Sequence, residues 1–235
     1  MHENHLRKVT FPLLLATPLI ALTLVVIPNT TQQAYAQEAG IRLLQCPNGI
    51  NAHWVDEDGT PKDTITYKII VKAPSIRESQ IEAVREGIER WDGFVYNIEE
   101  VGANEDADIE VTLAIRAQFE HPESAGVNMA HGLGGVDFEY TEDTCSVTSG
   151  WVDLSMKGAN TARGETTALK NLVAHELGHA LGLGHANYEQ DIMFTKRGTN
   201  QLWVREDICP SNLDVEALTT DENPYFVEDW VELNC

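Results

Sequence analysis

Hydrophobic and polar positions alternate most cleanly over residues 64–71, where Ile65, Tyr67, Ile69 and Val71 fall on one side and Thr64, Thr66, Lys68 and Ile70 on the other. A period of two predicts a half-buried strand. The period then changes. Ser75 with Glu78 three residues on has the form of a capping box, and Ile81, Val84, Ile88 and Trp91 follow at helical spacing until Gly93 ends the run. Residues 94–101 predict a second strand, and Ile109, Val111, Leu113 and Ile115 mark a third. Residues 117–150 are broken by Gly, Pro and Asn and predict loops with one or two short strands, and residues 151–156 a further strand. A second helix is predicted from about residue 166 to 181, with Leu169, Val173, Leu177, Ala180 and Leu181 as its buried stripe. A short helix is predicted around residues 211–218. Strands and helices mix without regular alternation, which predicts an α+β fold.

The first 36 residues have a different pattern. Arg7 and Lys8 precede an apolar stretch from Phe11 to Ile27, and Ala34-Tyr35-Ala36 forms a small-x-small cleavage pattern before Gln37. This predicts a signal peptide over 1–36, an N-terminal extension over 37–63 that reads as irregular, and a catalytic domain with a C-terminal tail over 64–235. No later apolar run is long enough to span a membrane. The expected localisation is secreted, or at the cell surface after cleavage.

Composition narrows the partners. The chain has 235 residues, 37 Asp and Glu against 16 Lys and Arg, and a net charge of −21. That balance leaves no basic surface to follow a phosphate backbone, so a nucleic-acid partner is not expected. Export places Cys46, Cys145, Cys209 and Cys235 in an oxidising compartment, where an even count predicts two disulfides. Cys209–Cys235 is the expected pair, since it closes the C-terminal segment. Cys46, next to Pro47, is expected in a disulfide rather than as a latency cysteine over a metal.

The chemistry concentrates in His175-Glu176-Leu177-Gly178-His179-Ala180-Leu181-Gly182-Leu183-Gly184-His185. His175 and His179 are four apart, so their rings leave one helix face about 40° apart around the axis. That face lies away from the Leu169, Val173 and Leu177 stripe. Gly182 allows the helix to end and the chain to turn back, which brings His185 to the same point. Three histidines leave a fourth zinc position open, the arrangement of a catalytic site. Glu176 is then the general base rather than a ligand.

The segment resembles the metzincin clan of zinc endopeptidases, HExxHxxGxxH followed by a Met-turn, here Met193 in Asp191-Ile192-Met193-Phe194. The short gap between His185 and Met193 is similar to the matrixin branch, although Ala186 stands where matrixins often have Ser. The resemblance implies a mixed, twisted, mostly parallel five-stranded sheet with three helices and a cleft. It also implies one catalytic Zn²⁺, a protein or peptide substrate, and hydrolysis by a zinc-activated water with Glu176 as general base and acid. A monomer is expected. Two other readings use the same residues: a catalytically silent zinc-containing surface module, which has no need of Glu176, and a zinc amidohydrolase acting on non-protein amides.

Further candidates come in part from the same resemblance, which suggests the two metal sets, and in part from position along the chain. His121, Glu123, His131 and Asp153 are a candidate second zinc set, and Asp106 and Asp108, with Glu105, a candidate Ca²⁺ loop. Residues 126–131 are the candidate sheet edge for an extended substrate. His53 is read as structural, and Tyr188 is a minor candidate for catalysis.

Overall fold

The computed structural model describes residues 7–9, 43–115, 132–156, 165–186, 191–194 and 208–219. They form strands β1 (Arg7–Val9), β2 (His53–Trp54), β3 (Thr64–Val71), β4 (Asn97–Glu100), β5 (Ile109–Ala114), β6 (Gly132–Tyr140) and β7 (Cys145–Ser155). The helices are α1 (Glu78–Glu89), α2 (Glu165–Ala180) and α3 (Asn212–Thr219). One sheet runs β1-β6-β7-β5-β3-β4, with β2 beside β7. β3 pairs in parallel with β4 and β5, and β5 with β7, while β6 runs antiparallel to β7. The expected five mostly parallel strands are therefore β6-β7-β5-β3-β4. The two short strands β1 and β2 raise the count to seven.

Alternation over 64–71 becomes β3 as expected. Two local expectations shift. The helix after it begins at Glu78, not at the Ser75 box; the backbone N–H of Arg77 donates to the Gln80 side chain, so Arg77 and Gln80 close the first turn. The strand expected over 94–101 contracts to β4, largely exposed.

The largest difference lies in residues 132–150. Glycines and polar residues there read as loop, yet β6 spans nine residues and β7 eleven. The glycines serve an approach to α2. A Cβ at Gly134 would stand 2.0 Å from the carbonyl oxygen of Glu176, and one at Gly132 would stand 2.9 Å from its Cγ. β6 lies against the helix because these positions lack side chains, and sequence-local rules have no knowledge of that helix.

The core sits between the sheet and the helices. Ile65, Ile109, Val111, Leu113, Val152 and Leu154 from the strands join Val84 and Ile88 from α1, Trp91 just beyond it, and Leu169, Val173 and Leu177 from α2. α1 meets α2 closely at Gly87, where a Cβ would lie 2.7 Å from the Lys170 carbonyl oxygen. The expected one-sided burial of α2 is corrected: from Val173 to Gly178 the helix is buried on every side. Trp91 Nε1–H donates to the Ala174 carbonyl at 2.8 Å, and Trp54 Nε1–H to the Ala180 carbonyl at 3.1 Å.

Of the segment read as irregular over 37–63, residues 43–63 are described, and they are bonded to the rest of the fold. Cys46 bonds Cys145 at the start of β7 across 99 residues of chain, a cross-link worth about 4–5 kcal/mol in the chain-entropy account. Cys46 is thus committed to a disulfide, as expected. Cys209 is also disulfide-bonded; the expected partner, Cys235, lies outside the described residues.

A turn at residues 191–194 packs beneath α2, and α3 supports it. Ser211 precedes α3 and Asp214 accepts from the Ser211 backbone N–H at 2.6 Å, while the Ser211 hydroxyl donates to Asp191 at 3.2 Å. Asp191 in turn accepts from the Met193 N–H at 2.6 Å. Both carboxyls are fully buried. Burial pushes Asp191 up to about 6, and burial together with the facing Asp191 charge holds Asp214 well above the usual carboxylate range. The folded protein then binds more protons than the unfolded chain from about pH 4 upward, so this pair's contribution to stability falls as pH rises through about 6. Replacing Asp214 with Asn removes the like charge and keeps an acceptor for Ser211. Urea midpoints should therefore show Asp214→Asn gaining on the native protein as pH rises from 4 to 7. A difference that stays constant across that range would contradict this account.

Candidate metal and catalytic site

α2 ends with a Schellman pattern. Leu183 N–H donates to the Gly178 carbonyl and Gly182 N–H to the His179 carbonyl, with Gly182 at φ +109°. That backbone conformation is left-handed, which glycine adopts without a Cβ penalty. The chain reverses there and returns His185 toward the helix. The turn expected from Gly182 is the turn observed.

His175, His179 and His185 come together. Their ligand-capable atoms all lie within 4.8 Å of one another, and among the described residues they form the one group of three or more His, Cys, Asp or Glu side chains able to hold a metal ion. His179 Nε2 and His185 Nε2 are 3.1 Å apart. Two nitrogens on a tetrahedral Zn²⁺ with bonds of about 2.0–2.1 Å stand about 3.3 Å apart, so the spacing fits zinc.

The other ring nitrogens are occupied. His175 Nδ1 donates to the Ile192 carbonyl at 2.6 Å, and His179 Nδ1 to the Leu183 carbonyl at 2.7 Å. Each bond puts the proton on Nδ1 and leaves the Nε2 lone pair free. Burial also keeps the rings neutral. His175 is lowered to about 4, His179 well below the usual value, and His185 is lowered as well, chiefly by desolvation in each case. Three neutral imidazoles with directed lone pairs are the donor set that zinc takes.

Glu176 lies next in sequence, buried against β6. Its carboxylate accepts the N–H of Gly134. Burial pushes the carboxyl up to about 8, and the Gly134 bond opposes that shift. A cation at the histidines favours the charged form.

Met193 is buried under the helix. A Cβ at Gly178 would stand 2.3 Å from its sulfur, so the thioether rests on the bare backbone between the two helical histidines. The Met193 carbonyl accepts from Ala186 N–H at 2.9 Å, which ties the turn to the residue after His185.

Other candidates are placed differently. Asp108 holds Lys62 in an ion pair and accepts from the Thr66 backbone and hydroxyl at 2.8 and 2.9 Å. It is a brace between β3 and β5, and exposed Asp106 and Glu105 do not join it in a metal-binding group; the calcium expectation is corrected on that ground. Asp153 is buried in β7 opposite Thr112 and Leu133. Its expected companions His121, Glu123 and His131, the candidate edge at 126–131 and Tyr188 lie outside the described residues. His53 is in β2, away from the histidine cluster in sequence and paired beside Ser146.

Sequence reasoning misses three participants: the Gly134 N–H and the carbonyls of Ile192 and Leu183. The carbonyls carry no residue-type signal, because any residue supplies one. The Gly-x-Gly-Gly run at 132–135 is a signal in retrospect, since only close packing needs such a run inside a strand.

No curated protein matches the chain. Among solved structures it is similar to archaemetzincin from Methanopyrus kandleri, with 14% identity, 68% of this chain and 96% of that chain covered, and a TM-score of 0.48. The sequence model of the matrixins matches residues 59–207, which takes in strands β3 to β7, α1, α2, the three histidines and Met193. The chain belongs to the matrixin family, zinc metalloendopeptidases of the metzincin clan.

Proposed function

We propose that the protein is an exported endopeptidase in which His175, His179 and His185 hold the zinc and Glu176 is the general base and acid. The observation that carries this is the cluster itself: three imidazoles, two with Nδ1 tied to backbone carbonyls, converging beside a buried carboxylate. Zinc bound there would polarise a scissile carbonyl and acidify a water molecule. Glu176 takes the proton from the attacking water and returns it to the leaving amine. Gly134 N–H holds the carboxylate in place between the two transfers. Burial against β6 and the pull of a nearby cation act on Glu176 in opposite directions, which suits a group that must both accept and release a proton near neutral pH. Met193 supports the rings by packing and is not a ligand.

β6 is the proposed substrate edge. It is antiparallel to β7, its Gly132 and Gly134 lie beside Glu176, and β1 pairs with the outer side of Phe138 to Tyr140. An added strand is therefore compatible with that edge. Cleavage before Gln37 removes β1 and opens the whole edge to an extended peptide. Among the described residues no helix is long and apolar enough to cross a membrane.

Three outcomes follow. Glu176→Ala should retain zinc and fold but lose at least about 10²-fold in kcat, whereas His179→Ala should lose zinc affinity; a chelator should abolish activity and added zinc restore it. Peptide hydrolysis by Glu176→Ala at the native rate would refute the mechanism while leaving the metal site standing. N-methylation of successive backbone amides in a good substrate should raise KM at every second position, the period of strand pairing. A flat response would remove β6 as the docking edge. Finally, intact-mass analysis of the exported protein should find its N-terminus at Gln37; retention of residues 1–36 would rule out cleavage.

A further inference from the structure

Residues 43–54, which end in β2, precede β3 and reach the zinc-site helix at its end. Leu44 N–H donates to the Gly182 carbonyl at 2.8 Å, and Leu43 bridges Leu183 in antiparallel fashion. Trp54 Nε1–H donates to the Ala180 carbonyl, the last of the helix. The Ala52 carbonyl oxygen closes over Gly182, 3.5 Å from where a Cβ would stand.

The segment is itself held firmly. It folds back on itself through Cys46 N–H to the Ile50 carbonyl and Ala52 N–H to the Leu44 carbonyl, both at 2.9 Å. The Cys46–Cys145 disulfide fixes it to β7. The Asn48 side-chain amide donates to the carbonyls of Thr141 and Thr144 at 2.8 and 3.0 Å, on the loop between β6 and β7.

Its contact points are the residues that set two of the three imidazoles. Leu183 supplies the carbonyl that fixes the His179 ring, and Gly182 is the hinge that directs the chain to His185. Two helix-end bonds, Leu183 N–H to the Gly178 carbonyl and Gly182 N–H to the His179 carbonyl, form the turn at 182, and residues 43–54 add contacts to it from outside the helix.

Resting on the zinc site proposed above, we propose that residues 43–54 are a positioning strap, in which Leu44 and Trp54 hold the Ala180–Leu183 backbone so that His179 and His185 are presented to the metal together. Leu44 and Trp54 are positioning residues that act on the imidazoles through the helix terminus.

The test compares three variants of the exported protein. Leu44→Pro deletes the N–H that meets Gly182. Trp54→Phe deletes the N–H that meets Ala180 and keeps an aromatic ring. Trp91→Phe deletes the same kind of bond at Ala174, within the helix, and serves as the comparison. Zn²⁺ affinity is measured by chelator competition, and the geometry of the site by the visible absorption of the Co²⁺-substituted protein. Both strap variants should weaken Zn²⁺ binding by about tenfold or more, within the roughly 10–100-fold range for residues that orient ligands, and should shift the Co²⁺ bands. Trp91→Phe should lower the urea midpoint and leave the bands in place. Strap variants that bind Zn²⁺ as tightly as the native protein, with unchanged Co²⁺ bands, would overturn the proposal. If Leu44→Pro does not fold, Trp54→Phe decides alone. Native protein that fails to bind Zn²⁺ would overturn the zinc-site reading first, an outcome distinct from a tight native site that ignores the strap.

Discussion

Two hydrogen bonds decide how the site is presented: His175 Nδ1 to the Ile192 carbonyl and His179 Nδ1 to the Leu183 carbonyl. A neutral imidazole has one donor and one acceptor, and these bonds assign them. Two segments outside α2 hold those two carbonyls. Ile192 belongs to the turn that Asp191, Ser211 and Asp214 anchor to α3. Leu183 belongs to the turn that Gly182 permits and residues 43–44 cover. The third ring, His185, is set between them, since Ala186 N–H bonds the Met193 carbonyl.

This arrangement places polar chemistry inside the core, which costs stability unless every group is matched. The histidines are neutral because burial lowers them, and Glu176 is raised to about 8 for the same reason. Asp191 and Asp214 add a second buried charge problem below the first. The opposing stabilisation comes from the apolar layer between sheet and helices, from the Trp54 and Trp91 bonds to α2 carbonyls, and from the disulfide that closes the N-terminal segment onto β7. A dication among three neutral rings and beside a raised carboxyl would favour the ionised carboxylate that the proposed mechanism requires.

Legibility in the sequence followed locality. β3 alternates with no exception before its end because one face is buried and nothing else constrains it. α2 and the histidine spacing are readable because a helix relates positions four apart by geometry alone. Gly182 is readable because a chain reversal was needed for His185. β6 was not readable: Gly132, Gly134 and Gly135 are loop signals by local rules, and their reason is the approach of Glu176 on one face and Trp151 on the other. The cap of α1 moved from Ser75 to Arg77 because Gln80 can return to the Arg77 N–H, an equivalent that the usual residue preferences rank low. The strap over 43–54 was invisible for a different reason. Its partners are residues 141–145 and 180–183, about a hundred or more positions away, and most of its bonds use backbone atoms.

Gly134 joins two functions that are usually discussed apart. Its missing side chain lets β6 touch the helix at Glu176, and its N–H is donated to that residue's carboxylate. The strand proposed to align the substrate is thus the strand that holds the proposed base. A peptide added to β6 takes its position from the same backbone that positions the carboxylate, so the distance between scissile bond and base is fixed by one short stretch of strand. Such coupling needs no moving part. It needs a strand that can lie flat on a helix, and a side chain at 134, even a methyl group, would lift β6 away and separate the two.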